Sequence, residues 1–494
     1  MKRILALLIT LALLLPLVAC GGGGGTSLLT EETDTLIRTT GETSTETGSG
    51  KHDPTGPAVG FGRADVTPTA AVSLSGYGNE AVRLSKNILD PLYLTCVALF
   101  DGETTCLFYQ VDVAAASVEL TDLVRRVANM VAQIPAEQVI VNASHSHSAP
   151  VSSGDLGAFW LAQVSKGAQD ATRAAIADLD HVSSAEAGQA DAENLNFTRR
   201  YYAEDGFVAP NYDSRTNGGA ITAHEFKADP TIRWVRFKRD NQKDVVLTNW
   251  QCHATMTGGS KKYDVSADFV GQFRKYAEEA LDVYTVYFQG GAGNVAPSSS
   301  IAGEAPYSSD YKKMGKALVD TMVNAWDSAT PIRLGKLNFT SRTFAGKVNH
   351  STDDLVEAAM KVQSFWQNTM DAARTTEMAK PYGISSPYEA NAIVSRAKLG
   401  ETSDVGLYAF SFGDFALVTA PLEMFSNTGE DLRARSPYAM TFFLGYTNGL
   451  IGYMPAATSF PNKGYEVVIC RFVQGTAEEI EEEQLSMLAE LKTQ

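Results

Sequence analysis

The stretch Gln138-Val139-Ile140-Val141-Asn142-Ala143-Ser144-His145-Ser146-His147-Ser148-Ala149-Pro150 begins as an apolar strand, Gln138–Val141, and halts at a turn of small polar residues carrying two histidines. A strand ending this way exposes its last side chains at the carboxyl edge of a sheet, where ligand sites of α/β proteins form. His-x-His at such an edge offers two imidazoles to a metal, or one ligand and one group that handles protons. The same spacing also serves two histidines bonded only to backbone.

Outward from this segment, apolar runs alternate with helical periodicity. Leu92–Phe100 and Thr105–Val111 read as a hairpin about Asp101-Gly102, and Ser117–Ala132 as an amphipathic helix. Leu161–Leu179 is a second helix, Ile232–Lys238 and Val245–Trp250 a strand pair, Phe269–Leu281 a helix and Val283–Phe288 a strand ending in Gly290-Gly291. Asp353–Thr375 reads as one long helix capped by Ser351, Val405–Ser411 and Phe415–Thr419 as a hairpin, and Glu478–Lys492 as a closing helix. Repeated strand–helix–strand order predicts an α/β fold of mixed sheets with flanking helices and substantial parallel pairing. Residues 58–494 read as a single large domain without an internal repeat.

A second histidine repeats the context of the first two. Thr248-Asn249-Trp250-Gln251-Cys252-His253 again follows an apolar strand, which points to one shared site built from His145, His147 and His253. The chain has seven histidines in all; His224 and His350 sit in no such context. Four cysteines remain within 58–494 (Cys96, Cys106, Cys252 and Cys470), with no Cys-x-x-Cys pair, so a thiolate zinc site is not expected. A two-residue turn would send Cys96 and Cys106 to opposite faces of their hairpin, so no disulfide is assigned.

The amino terminus sets an expected address. Lys2 and Arg3 precede an apolar run, Ile4 to Val18, and Leu17-Val18-Ala19-Cys20 follows. This has the layout of a secretory signal, and its last four residues resemble the bacterial lipobox, with Cys20 the lipidated residue. Residues 1–20 are thus expected to be a lipoprotein signal peptide and 21–57, poor in large apolar residues, a flexible tether. The protein is expected outside the cytoplasm, as a membrane-anchored lipoprotein of a bacterial cell envelope. With 41 Lys and Arg against 57 Asp and Glu, the formal charge is −16, which argues against nucleic acid as a partner and against electrostatic adhesion of the surface as a whole to anionic lipid.

His145-Ser146-His147-Ser148-Ala149-Pro150 resembles the Thr-His-Thr-His-Ser-Gly-Pro signature of the neutral, non-lysosomal ceramidases. Asn249-Trp250 with His253 is similar to that family's Asn-Trp-x-x-x-His, and Gly62-Arg63-Ala64-Asp65-Val66-Thr67-Pro68 with Gly76-Tyr77-Gly78 resembles its opening. Asn196-Phe197-Thr198-Arg199-Arg200, Val265-Ser266-Ala267-Asp268, Pro421-Leu422-Glu423 and Asn448 to Tyr453 follow in the family's chain order. The resemblance implies a ceramidase-like catalytic domain with Zn²⁺ held by His145, His253, Glu423 and Tyr453. It further implies that His147, Arg199 and Tyr465 act on the substrate, a linear N-acyl amide such as a lipid amide.

Two departures bear on this expectation. The family's Gly-Asp-x-Ser-Pro loop reads Gly293-Asn294-Val295-Ala296-Pro297 here, with alanine where the family has serine, and the family's C-terminal β-sandwich is not expected. Both point to an altered substrate. The competing readings are an amidohydrolase-type metal enzyme, for which His-x-His is also typical, and a surface-displayed binding lipoprotein that kept the fold without the activity.

Overall fold

A computed structural model describes residues 55–78, 80–204, 206–208, 221–301, 304 and 309–494. The segments expected as signal peptide and tether, with Cys20, lie outside the described residues except for residues 55–57. Pro54–Gln494 closes on its own contacts as one compact unit.

Nine strands form the larger sheet: β1 (Ala58–Asp65), β2 (Tyr93–Phe100), β3 (Thr105–Val111), β4 (Val139–Ala143), β5 (Asp180–Asp191), β6 (Thr231–Arg239), β7 (Val245–Trp250), β8 (Tyr284–Gln289) and β9 (Thr330–Ile332). Their order is β8-β7-β6-β5-β1-β2-β3-β4, with β9 on β5. Helices α1 (Val118–Ala132), α2 (Gly154–Ala177), α3 (Asp268–Leu281) and α4 (Tyr311–Asn324) cover one face. Alternation along each strand does the sorting. Cys96 and Ala98 of β2 face α2, while Val97 and Leu99 face the other way.

That other face packs on a second, four-stranded sheet of β10 (Leu337–Lys347), β11 (Thr402–Phe412), β12 (Phe415–Thr419) and β13 (Met440–Leu444). Phe108 and Ile140 meet Phe410, Phe412, Leu417 and Phe442 between the sheets, each buried side chain contributing about 1.5–3 kcal/mol. Between β11 and the end of β10 the chain forms a helical cluster with its own small core, α5 (Val356–Thr369), α6 (Ala372–Ala379) and α7 (Pro387–Arg396). Helices α8 (Ser426–Arg435) and α9 (Thr476–Thr493) close the far side of the small sheet. The result is an α/β domain in four layers: helices, sheet, sheet, helices.

Three expectations are corrected. Along the path of the large sheet only β7–β8 and β3–β4 pair in parallel; the other pairs are antiparallel. Parallel pairing is thus confined to the two ends, because β5 returns between the halves and forces antiparallel neighbours. The long helix expected over Asp353–Thr375 is broken: its α-helical part starts at Val356 without a side-chain cap from Ser351, Met370 adopts left-handed geometry (φ 53°), and the chain restarts at α6, capped by Asp371. Leu161–Leu179 starts earlier, at Gly154. Cys96 and Cys106 are buried free thiols on opposite faces, as the hairpin register requires (Cys96 opposite Tyr109, Leu99 opposite Cys106).

Candidate metal-binding active site

The two ends of the large sheet meet at their carboxyl termini, and a buried side chain joins them. Asn142 at the end of β4 accepts from Gln289 N of β8 (2.9 Å) and donates to Gly445 O (2.8 Å) and Thr447 Oγ1 (2.9 Å). Asn249 of β7 does the same for the second sheet, donating to Phe288 O (3.0 Å) and Phe443 O (3.3 Å). The histidine turns after β4 and β7 therefore lie side by side. Ser146 and Ala254 form a parallel bridge, and His147 N donates to Ala254 O at 3.0 Å.

His145, which has φ 60°, hydrogen-bonds Ala114 O through Nδ1 (2.6 Å); His253 hydrogen-bonds Ala292 O (2.8 Å) and Val295 O (3.1 Å) through its own Nδ1. A carbonyl can only accept, so both Nδ1 atoms carry the proton and both Nε2 atoms present a lone pair inward. Those Nε2 atoms lie 3.5 Å and 3.4 Å from the same oxygen, Glu423 Oε2. His147 Nε2 is 3.2 Å from His145 Nε2. One ring nitrogen from each of the three histidines lies within 4.8 Å of the other two, a cluster that could coordinate a metal ion.

Tyr446 donates to Glu423 Oε2 (3.3 Å). The Tyr453 hydroxyl sits 3.4 Å from His253 Nε2 and accepts from Arg199 Nη2 (3.0 Å). Arg199 is held by Glu466 Oε1 (3.0 Å) and Gly293 O (3.1 Å), and Glu466 Oε2 takes Arg200 at 2.8 Å. Tyr465 packs edge-on against Tyr453, centroids 5.5 Å apart. The seven expected site residues within the described chain thus fall in one cluster. Ala296 lies beside it: Val295 O bonds His253, and Ala296 pairs with Phe197 across a short antiparallel bridge.

Electrostatics sharpen the picture. Burial drives the His145 imidazolium down to about 3 and His147 and His253 well below the ordinary value, so all three are neutral. Burial raises the Glu423 carboxyl, against the pull of His145 and Arg199. Burial opposes charge on Arg199, but Tyr453, Glu466 and Glu423 outweigh it and hold the guanidinium above its usual range. Two lone-pair nitrogens and a carboxylate oxygen facing one another at these distances repel unless a proton or cation lies among them. Neutral imidazole and carboxylate are the ordinary donors to Zn²⁺, so the residues present fit such an ion.

Three features escaped the sequence. Tyr446 precedes the recognised Asn448 motif and bonds the carboxylate. Glu466 follows Tyr465 directly and anchors two buried arginines. Gly76 has φ 109°, and a Cβ there would fall 2.4 Å from the His147 ring. Glycine signals close approach, but nothing in one sequence names the partner.

A four-layer α/β domain with a buried histidine–carboxylate cluster at the joined strand ends defines the class: an α/β fold carrying a candidate metal-binding site. No protein-family model and no curated protein matches the chain. Solved structures do. A neutral ceramidase from Pseudomonas aeruginosa is similar at a TM-score of 0.68 and 16% identity, over 89% of this chain and 75% of that one. A ceramidase complexed with C2 is similar at 0.66 and 15%, over 89% and 76%. At such identity the likeness establishes the fold.

Proposed function

We propose that the protein is a zinc-dependent hydrolase of linear amides, with an N-acyl lipid as the substrate class, working outside the cytoplasm as a lipid-anchored protein. The observation that carries this is the approach of His145 Nε2 and His253 Nε2 to one oxygen of Glu423, each with its other nitrogen fixed by a carbonyl. In this reading His145, His253, Glu423 and Tyr453 hold Zn²⁺, which when bound supplies Lewis acidity. The carbonyls of Ala114 and Ala292 orient the two rings.

His147 has a separate part. Its Nδ1 is buried without a hydrogen-bond partner, so no carbonyl fixes its tautomer, and its Nε2 faces the cluster. It can take up or release a proton at that atom, as the leaving amine requires. Arg199 brings a permanent positive charge to the Tyr453 hydroxyl, stabilising negative charge that develops on oxygen there.

A second reading makes His147 a third nitrogen ligand, favoured by one nitrogen of each ring lying within 4.8 Å of the others. Metal analysis of His147→Ala separates the two: zinc is kept if the ring handles protons and lost if it is a ligand. The function itself is tested by hydrolysis of N-acyl sphingoid bases, N-acyl amino acids and simple esters by zinc-loaded protein. Turnover of none of these, with zinc at full occupancy, overturns the hydrolase reading in favour of a binding protein.

Among the described residues no helix is long and apolar enough to cross a membrane. In this proposal attachment comes from acylation of Cys20.

A further inference from the structure

The segment Val82–Ile88 inverts the usual pattern of a half-buried strand. Val82 ends a short 3-10 turn and the chain then runs extended to Ile88, so Leu84, Lys86 and Ile88 share one side. That side faces solvent: Val82 is 66%, Leu84 52% and Ile88 55% exposed. The charged residue turns inward instead. Arg83, buried, donates to Lys262 O, Ser75 O and His147 O, each at 2.6 Å. The row is thus clamped to the backbone of the histidine turn, and it is rigidly presented.

Cations border it. Lys86 and Lys262 both lie over the ring of Tyr263 (4.4 and 5.3 Å), and Lys261 lies over Tyr311 at 5.4 Å. Three carboxylates lie near the row and turn into hydrogen bonds rather than toward the lysines, Glu80 with Ser75, Asp264 with Asn87 and Asp90 with Ser266 and Ala267 N. A cleft of about 150 Å³ opens beside Ile88, walled by Pro68, Ala70, Ala71 and Val265. On a chain of net charge −16, exposed aliphatics ringed by lysines are a local exception.

We propose that Val82, Leu84 and Ile88, with Lys86, Lys261 and Lys262, form a docking surface for an anionic lipid bilayer. Aliphatic side chains enter the acyl boundary while lysines reach the headgroups, the division of labour of interfacial segments. Charge complementarity selects the occupant: lipid phosphates face the lysines, whereas a second copy docked on the same patch about a twofold axis would set lysines against lysines. The proposal goes beyond the hydrolase reading and is independent of it, because binding is measured without substrate.

The test uses the Pro54–Gln494 unit, which lacks the amino-terminal segment, in cosedimentation with vesicles. It should pellet with equal parts phosphatidylglycerol and phosphatidylcholine, and less with phosphatidylcholine alone or in high salt. Val82→Asp with Leu84→Asp should lower partition about tenfold or more. Lys86→Gln, Lys261→Gln and Lys262→Gln together should remove the preference for anionic lipid, roughly fivefold per lysine. All these positions are exposed, and unchanged melting curves verify the fold. No binding by the parent unit, or equal binding by both variants, overturns the proposal. So does a dimer that Leu84→Asp dissociates, which would make a second copy the occupant.

Discussion

His145 and His253 hold their rings 4.4 Å apart at 84°, and each commits its Nδ1 hydrogen to a backbone carbonyl. The two rings are therefore locked as donors before any ion arrives, so little ordering accompanies binding. His145→Ala and His253→Ala should each remove most of the metal from purified protein, read by elemental analysis. Full zinc in both variants would place the site elsewhere.

Gly76→Ala separates geometry from coordination. The new methyl meets the His147 ring and the backbone angle opposes any side chain. Displacing a reacting group by about 1 Å costs on the order of a hundredfold in rate. The expected result is zinc retained and kcat lowered by about that factor; an unaltered kcat would remove His147 from the reaction.

Glu466 stands between two buried guanidiniums, and removing one partner of a buried pair costs about 3–5 kcal/mol. Glu466→Ala should lower the unfolding free energy by roughly that amount in urea titrations. Burial raises the Glu466 carboxyl, but Arg199 and Arg200 outweigh burial and hold it below its ordinary value. Its stabilisation is therefore present above the unfolded carboxyl pKa of about 4.3 and lost as pH falls through the lower folded value. Glu466→Gln should flatten that acid limb; an unchanged limb would mean other carboxylates dominate it.

Ala296 tests the substrate. If a serine hydroxyl at this position supplies one transition-state hydrogen bond, its absence costs about 2.7–4 kcal/mol, or a hundred- to a thousandfold. Ceramide should then be a poor substrate here, and Ala296→Ser should raise its turnover. Brisk parent turnover unaffected by the hydroxyl would show that this loop position takes no part.

Cys20→Ala should leave the protein unlipidated and move it from the detergent phase to the aqueous phase in a detergent partition, where a merely docked protein also goes. Persistent partition into detergent would end the lipoprotein proposal.

Legibility followed periodicity. Strands rich in Val, Ile and Phe, such as Val245–Trp250, lie where the sequence places them. The strand Asp180–Asp191 was invisible because Ala185, Ala187 and Gly188 carry no apolar bulk. Gly188 is small because Trp234 fills its space: a Cβ there would sit 2.2 Å from the indole. Missing that strand is what turned an antiparallel centre into an expected parallel one. At the site, residues set in short motifs were readable, whereas Tyr446 and Glu466 acquire their roles only through partners distant in sequence.

The join between the sheet's two ends has a kinetic consequence. Asn142 ties strands from opposite ends of the order, and the cluster gathers backbone from Ala114 to Glu466. Contacts of such long range form after the local ones, since loop closure must come first. Folding should accordingly be slow, and ion capture should be its closing event rather than its nucleus. Under limiting zinc, newly made chains would then accumulate as folded molecules with the strand ends joined through Asn142 and the histidine cluster empty.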